Sequence, residues 1–75
     1  MSEDLKTDTI TVIANGEPLQ IKVASSVAQL LAQLNIVPNR VVVQLDNNII
    51  WRNELDQAIL HEGSKLEIVT MVGGG

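Results

Sequence analysis

The chain has 75 residues, a net charge of −4, and a hydrophobic fraction that contains one aromatic residue, Trp51. This length suffices for one domain with a small aliphatic core, and the absence of cysteine excludes disulfides, thiolate metal sites and a thiol nucleophile. Five scattered Lys and Arg residues argue against binding to a phosphate backbone, so we expect no nucleic-acid partner.

Residues 1–8 (MSEDLKTD) carry three acidic residues and, after Met1, one apolar residue, so they have little surface to bury. We therefore expect a mobile N-terminal extension, followed by one folded domain over residues 9–72. The extension lacks the basic and then apolar pattern of a signal peptide, and every apolar stretch is too short to cross a bilayer. These features predict a cytoplasmic protein without a membrane partner, and we expect it to be monomeric when free.

The first two strands are predicted from alternation in "TITVIA" and "LQIKVA", with an intervening "NGEP" that suits a tight turn. The side chains expected to face the core are Ile10, Val12, Ala14, Leu19, Ile21 and Val23. Asn15 and Gly16 tolerate the positive φ that such a turn requires, and Pro18 marks the start of the second strand. The chain is thus expected to begin with a β-hairpin.

A helix is predicted next, because apolar residues recur at helical spacing after Ser25 and Ser26, which offer capping hydroxyls. Its apolar stripe consists of Val27, Leu30, Leu31 and Leu34. Asn35 and Pro38 end it, and a third strand follows over "RVVVQLD", with Val41, Val43 and Leu45 facing inward. Asn47 and Asn48 are expected to turn the chain.

The segment "NELDQAILHEG" predicts a short helix or turn that Asn53 caps and Gly63 closes, with Leu55 and Ile59 facing inward. The last strand, "KLEIVTMV", places Leu66, Ile68, Thr70 and Val72 on the inner face. The expected fold class is α+β: a four-stranded mixed sheet covered on one face by one main helix, with the short helix or turn before the last strand.

One helix covers one face of a sheet, so the other face meets water or a partner. Alternation assigns Ile13, Val42, Val69 and Met71 to that face. If they cluster, they form an apolar patch of the kind that marks an interaction site. The alternative is that they are scattered, since exposed Val and Ile residues are common.

The side chains offer little catalytic chemistry, and we expect no catalysis by the isolated chain. His61 has no partner at metal-ligand spacing, and a turn and a helix start account for Asp46, Glu54 and Asp56. The terminal glycines remain. A glycine run has no side chains and is therefore thin. A terminal carboxylate with a pKa of about 3.5 is ionised at neutral pH, and it can attack the α-phosphate of ATP to give an acyl-adenylate. No bound cofactor is expected.

"NGEP", "SSVAQLLAQL", "RVVVQLDNNII" and above all "LEIVTMVGGG" resemble the ThiS family, the sulfur carriers of thiamin biosynthesis. The resemblance runs from Ile10 to Gly75 and implies a β-grasp, ubiquitin-like fold. Two segments depart from the family pattern: "IIWRN" keeps Arg52 but places Trp51 before it, and Gly63-Ser64 replaces Gly-Asp. Both departures bear on the choice of partner more than on the chemistry.

The resemblance implies a cycle of three partners. An E1-like adenylyltransferase of the ThiF type adenylates Gly75 with ATP, sulfur from a cysteine desulfurase gives a C-terminal thiocarboxylate, and a thiazole synthase of the ThiG type takes the sulfur. Gly73 and Gly74 would form the flexible arm, residues 73–75, that enters both active sites. Val42, Val69 and Met71 are the predicted docking patch. The alternatives are a carrier for another sulfur pathway, such as the small subunit of molybdopterin synthase, and a ubiquitin-like modifier or binding domain.

Overall fold

The computed structural model describes residues 8–71, which form a five-stranded mixed sheet and one α-helix. The strands are β1 (Thr9–Ala14), β2 (Glu17–Lys22), β3 (Val41–Leu45), β4 (Asn48–Ile50) and β5 (Lys65–Thr70), and the helix is α1 (Val27–Gln33). Short 3-10 helices span Pro38–Arg40 and Arg52–Glu54. The strand order is β2-β1-β5-β3-β4, with β5 parallel to β1 and antiparallel to β3. The α+β prediction is confirmed.

The sheet has one strand more than the four that were predicted, because the chain pairs again immediately after β3. Asp46 and Asn47 have φ values of 50° and 73°, so these two residues alone make the turn. Asn48, which was predicted to belong to the turn, already pairs with Leu45. The predicted β1–β2 hairpin is confirmed, and its turn likewise consists of two residues with positive φ, Asn15 and Gly16.

Helix α1 begins with a reciprocal cap made by Ser26. The Ser26 Oγ accepts a hydrogen bond from the Gln29 backbone N–H at 3.2 Å, and the Gln29 Oε1 accepts one from the Ser26 N–H at 2.9 Å. Val27, Leu30 and Leu31 are buried, as predicted. Leu34 follows the last helical residue and is exposed, so the buried stripe ends at Leu31 and lacks its predicted fourth member.

The core lies between α1 and one face of the sheet. Its buried side chains come from the sheet, from α1 and from the connection before β5, and they are Val12, Ile21, Val43, Leu66, Val27, Leu30, Leu31, Leu55 and Leu60. Each of four strands supplies one of these residues, and half-buried residues such as Ile10 and Ile68 pack against the core from two positions away in the same strand. This is the pattern of a sheet covered on one face. Within the described residues, no helix is long and apolar enough to cross a membrane.

The connection before β5 begins with helical turns but is extended around Ile59, which makes one inward prediction wrong. The Val27 N–H donates to the Ala58 carbonyl at 2.9 Å, and the Leu60 N–H donates to the Ser25 carbonyl at 2.8 Å. Extended chain alternates its side chains, so Leu60 is buried and Ile59 points outward, 42% exposed. The prediction of Ile59 as a core residue assumed a helical period that the chain does not keep.

Three further predictions near element ends are corrected. Val23 was expected to face the core, but β2 ends at Lys22 and the chain turns at Ala24, where φ is 68°, so Val23 is exposed. Asn53 was predicted to cap the segment before β5, but it lies inside the second 3-10 helix, and Trp51 is the residue at the N-cap position. Thr70 is exposed although it was assigned to the inner face. The predictions for residues 1–7 and 72–75, including Val72, lie outside the described residues.

Candidate functional site

Strand β5 is the element that leads toward the terminal glycines, and it lies between β1 and β3 in the sheet. Its hydrogen bonding on the β3 side continues one residue past the strand, because the Met71 N–H donates at 2.9 Å to the carbonyl of Arg40, the residue that precedes β3. Gly73, Gly74 and Gly75, the predicted tail, lie outside the described residues. The described chain therefore ends on a strand that β3 holds up to Met71.

The structure brings the three predicted patch residues together on the face of the sheet opposite α1. Val42 and Val69 are directly opposite each other in the β3–β5 ladder, and Met71 lies two positions beyond Val69 on the same side. Val69 and Met71 are 57% and 55% exposed, and Val42 is also exposed. Their role as a docking surface remains a prediction, but their proximity is a property of the fold.

Ile13, the fourth residue assigned to this face, does not join the cluster. It pairs with Lys65 in the parallel β1–β5 ladder, four residues before Val69. Four residues of a strand span about 13 Å. Ile13 is also only partly exposed, so the apolar surface is concentrated near the end of β5.

Two residues that were not predicted extend the cluster across β4. Ile49 is opposite Gln44, and Trp51 follows Ile50, which is opposite Val43, so both lie on the outer side beside Val42. Trp51 is 62% exposed. A cleft of about 230 Å³ is lined in part by Val42, Ile49, Trp51 and Met71. We call the surface made by Val42, Ile49, Trp51, Val69 and Met71 the outer patch.

Alternation in "NIIW" was the signal that could have revealed Ile49 and Trp51. The signal is weak, because β4 has only three residues and its strand character depends on pairing with β3. Ile50, the residue between them, is half-buried and packs against the core. The opposite exposure of neighbouring residues is the period-two pattern of a strand.

The charges around the outer patch are arranged by the β3–β5 register. Arg40 stands opposite Met71 at the end nearest the glycines, and Arg52 lines the cleft, where its Nη1 donates to Asn39 Oδ1 at 2.6 Å. Farther from the glycines, Glu67 pairs with Gln44 across the ladder. The whole chain has a net charge of −4 and only five cationic residues. Two of these five, Arg40 and Arg52, nevertheless border one end of the outer patch.

The described residues contain no cluster of three His, Asp or Glu side chains that could hold a metal ion. His61 is exposed, and its backbone N–H donates to the Ser64 Oγ at 2.9 Å. Ser64 is buried, and its own N–H donates to the His61 carbonyl at 3.0 Å. Ser64, which stands where the ThiS-like pattern has Asp, therefore closes a local turn with His61, and Gly63 lies in that turn at a φ of 83°.

The model of the ThiS family matches residues 8–75, a range that includes the terminal glycines. The crystal structure of the thiamine biosynthesis protein ThiS from Geobacter metallireducens is similar in fold, with a TM-score of 0.76, 25% identity, and coverage of 88% of this chain and all of that one. A solution structure of a thiamine biosynthesis protein from the same organism has a TM-score of 0.69 and 26% identity, and the two chains are each covered to 88%.

Curated relatives divide into long and short proteins. A thiazole synthase from Paramagnetospirillum magneticum is 31% identical over 64 residues, which are 85% of this chain and 20% of that protein. The uncharacterized protein ycf40 from Pyropia yezoensis is 33% identical over 66 residues, which are 88% of this chain and 93% of the relative. The chain thus spans about a fifth of the thiazole synthase that it matches and nearly all of the short relative.

Proposed function

The chain belongs to the ThiS family of thiamin biosynthesis, the sulfur-carrier proteins, and on that premise we propose that it carries sulfur as a thiocarboxylate on Gly75. One observation carries the proposal: the family match runs without interruption from the folded domain into residues 73–75. The fold supports it, because β5, which precedes those glycines in the sequence, is held in the sheet between β1 and β3.

The proposed loading reaction has three steps. A ThiF-type adenylyltransferase joins the Gly75 carboxylate to the α-phosphate of ATP, and pyrophosphate leaves. The terminal sulfur of a persulfide on a cysteine desulfurase then displaces AMP, and a thiol reductant cleaves the S–S bond of the resulting acyl disulfide to leave the thiocarboxylate. A carboxylate with a pKa of about 3.5 is ionised at neutral pH and can serve as the nucleophile of the first step.

In this proposal the chain is a protein substrate and its partners perform the chemistry. The reacting group is the main-chain carboxylate, so no side chain of the carrier has to act as nucleophile or base. Glycine has no side chain beyond its α-hydrogens, so residues 73–75 can pass through a channel that admits only backbone. The proposal places the protein in the cytoplasm, where we expect its ATP-dependent partner.

We assign docking of the partners to the outer patch. Its apolar residues are exposed on the face that α1 leaves uncovered, and β5 runs from this patch toward the glycines. Docking here would bring the tail to a partner's active site without unfolding the domain. Arg40 and Arg52 at the border favour a partner that presents carboxylates around an apolar centre.

A thiazole synthase of the ThiG type is the acceptor that the relatives favour. A stretch similar to this chain makes up about a fifth of a polypeptide named thiazole synthase. A second thiazole synthase, from Magnetococcus marinus, is 30% identical over 61 residues and shows the same partial coverage, 19%. The synthase of another sulfur pathway, such as molybdopterin synthase, is the competing acceptor.

The test is intact-mass analysis of the whole chain after incubation with the adenylyltransferase, ATP, the desulfurase with cysteine, and a thiol reductant. We expect replacement of one oxygen by sulfur, and no such change in a variant from which Gly75 is deleted. Transfer to thiazole synthase, and not to molybdopterin synthase, would establish the thiamin pathway. An unchanged mass in a mixture that thiolates another carrier would refute the proposal, and a mass gain on target lysines would identify a modifier.

A further inference from the structure

Strand β5 extends beyond the point where its pairing with β1 ends. Within the described residues, the last part of β5 therefore has no strand beside it on the β1 side. The last β1–β5 pair joins Ala14 and Leu66, whereas β5 continues to Thr70. The Asn15 N–H still donates to the Leu66 carbonyl at 2.9 Å, after which the main chain turns away into the β1–β2 hairpin. The backbone groups of Ile68 would face an empty strand position at this point.

The side chain of Asn15 occupies that position. Its Oδ1 accepts a hydrogen bond from the Ile68 N–H at 2.7 Å, and its Nδ2 donates to the Ile68 carbonyl at 3.2 Å. A carboxamide carries an acceptor and a donor, so it can satisfy both groups as the next residue of a neighbouring strand would. Asn15 therefore continues the ladder by one position, across 53 residues of sequence.

The turn does not explain this contact. A turn residue at a φ of 51° requires Asn, Asp or Gly, and any of the three would close the hairpin. Asn47 has a φ of 73° in the β3–β4 turn, and its side chain makes no hydrogen bond within residues 8–71. Two asparagines thus meet the same backbone requirement, but only Asn15 reaches across to β5.

We propose that Asn15 is a positioning residue whose carboxamide keeps the end of β5 in the sheet, so that the terminal glycines leave it in one direction. Beyond Ile68, only β3 pairs with the strand, through Val42 opposite Val69 and the Met71 N–H bond to Arg40. A segment held on one edge frays more readily than one held on both. This inference rests on the proposed carrier function, because it concerns delivery of Gly75.

Fraying would reduce the fraction of molecules whose tail is ready to enter a partner. The apparent dissociation constant rises in inverse proportion to the competent fraction. Loss of two hydrogen bonds of ordinary net strength corresponds to roughly a 5- to 30-fold increase in the local opening equilibrium. The chemical step on an inserted tail does not involve Asn15, so its rate should stay the same.

The experiment compares Asn15→Gly with the matched control Asn47→Gly in the full chain. Glycine accepts positive φ at either turn, so neither change strains the backbone. Amide hydrogen exchange is measured by NMR at Met71, whose N–H bonds to Arg40 and does not touch Asn15. We expect Met71 to exchange about fivefold faster in Asn15→Gly and at the wild-type rate in Asn47→Gly.

Kinetics of the adenylyltransferase provide the second readout. For Asn15→Gly we expect a roughly two- to fivefold higher KM for the carrier at unchanged kcat. Asn15→Asp keeps the acceptor for the Ile68 N–H and loses the donor, so it should lie between wild type and Asn15→Gly in both measurements. This variant also preserves the test if Asn15→Gly fails to fold.

Equal exchange at Met71 in Asn15→Gly and Asn47→Gly would overturn the inference, as would a lowered kcat with unchanged KM. Failure of the proposed function has a different signature, because the wild-type chain would then gain no sulfur. The exchange measurement needs no partner and decides the role of Asn15 in either case.

Discussion

The two faces of the β3–β5 strand pair both carry aliphatic residues, but in opposite situations. On β3, Val43 is 1% exposed and its neighbour Val42 is 37% exposed; on β5, Leu66 is buried and Val69 is 57% exposed. Aliphatic character alone does not distinguish the faces, since the outer one carries Val42 and Val69 beside its polar residues. Helix α1 distinguishes the two faces, because it covers one of them, which becomes core, and leaves the other available to partners.

This comparison predicts that stability and partner binding can be changed separately, although the residues concerned are adjacent in sequence. A side chain under α1 should contribute to unfolding free energy, because its removal leaves a cavity. A side chain in the outer patch should contribute chiefly to association, because it is already in water in the free protein. Three predictions test this separation.

The largest effect is expected for Val43→Ala, with Val42→Ala as its matched control. Val43→Ala should lower the unfolding free energy by about 2 kcal/mol, because the methyl groups that it removes are fully buried. Val42→Ala should change it by less than about 0.5 kcal/mol, as exposed substitutions usually do. Urea denaturation measures both, and equal losses would show that the outer face is also packed.

An intermediate effect is expected for Val69→Lys, which places a charge within the outer patch. Affinity for the adenylyltransferase should fall by about tenfold, or 1.4 kcal/mol, because the ammonium group would have to be desolvated on docking. The loss of stability should stay within about 1 kcal/mol, the span of strand propensities.

Trp51 provides the measurement of that binding, since it is the single tryptophan of the chain and lies in the patch. Its fluorescence should shift to shorter wavelength when a tryptophan-free partner variant covers it. A melting temperature that falls in parallel with affinity for Val69→Lys would contradict the separation of the two faces.

The smallest effect is expected for Arg40→Glu at the border of the patch. A rim charge alters the rate of encounter more than the lifetime of the complex, so the association rate should fall by about threefold at low salt. The difference should shrink at ionic strengths above about 0.15 M, where the Debye length is about 8 Å. Stopped-flow fluorescence of Trp51 measures it, and a salt-independent difference would point to a packing role for Arg40.

Much of the fold could be predicted from periodicity, and the failures share a cause. The first hairpin, α1, β3 and β5 have patterns long enough to recognise, and the ThiS-like segments implied the β-grasp arrangement. Strand β4 has three residues, and the stretch around Leu60 has no period of its own. These two segments take their conformation from their partners: β4 pairs with β3, and the Leu60 N–H bonds to the Ser25 carbonyl.

The candidate site shows the same division. Alternation predicted that Val42, Val69 and Met71 would share the uncovered face, and the register confirms that they do. Ile49 and Trp51 were missed together with β4. Asn15 was identified as a turn residue, but its bonds to Ile68 depend on β1 and β5 being parallel neighbours.

The sequence by itself determined which residues alternate, where the chain turns, and that three glycines follow the last predicted strand, because these properties depend on neighbours along the chain. Only the tertiary structure decided which aliphatic residues form a continuous outer patch and which asparagine completes the ladder on β5. Those outcomes depend on strand order and register, which bring together residues more than fifty positions apart. Local preferences do not encode such pairings, because each strand edge presents the same backbone groups to every possible partner.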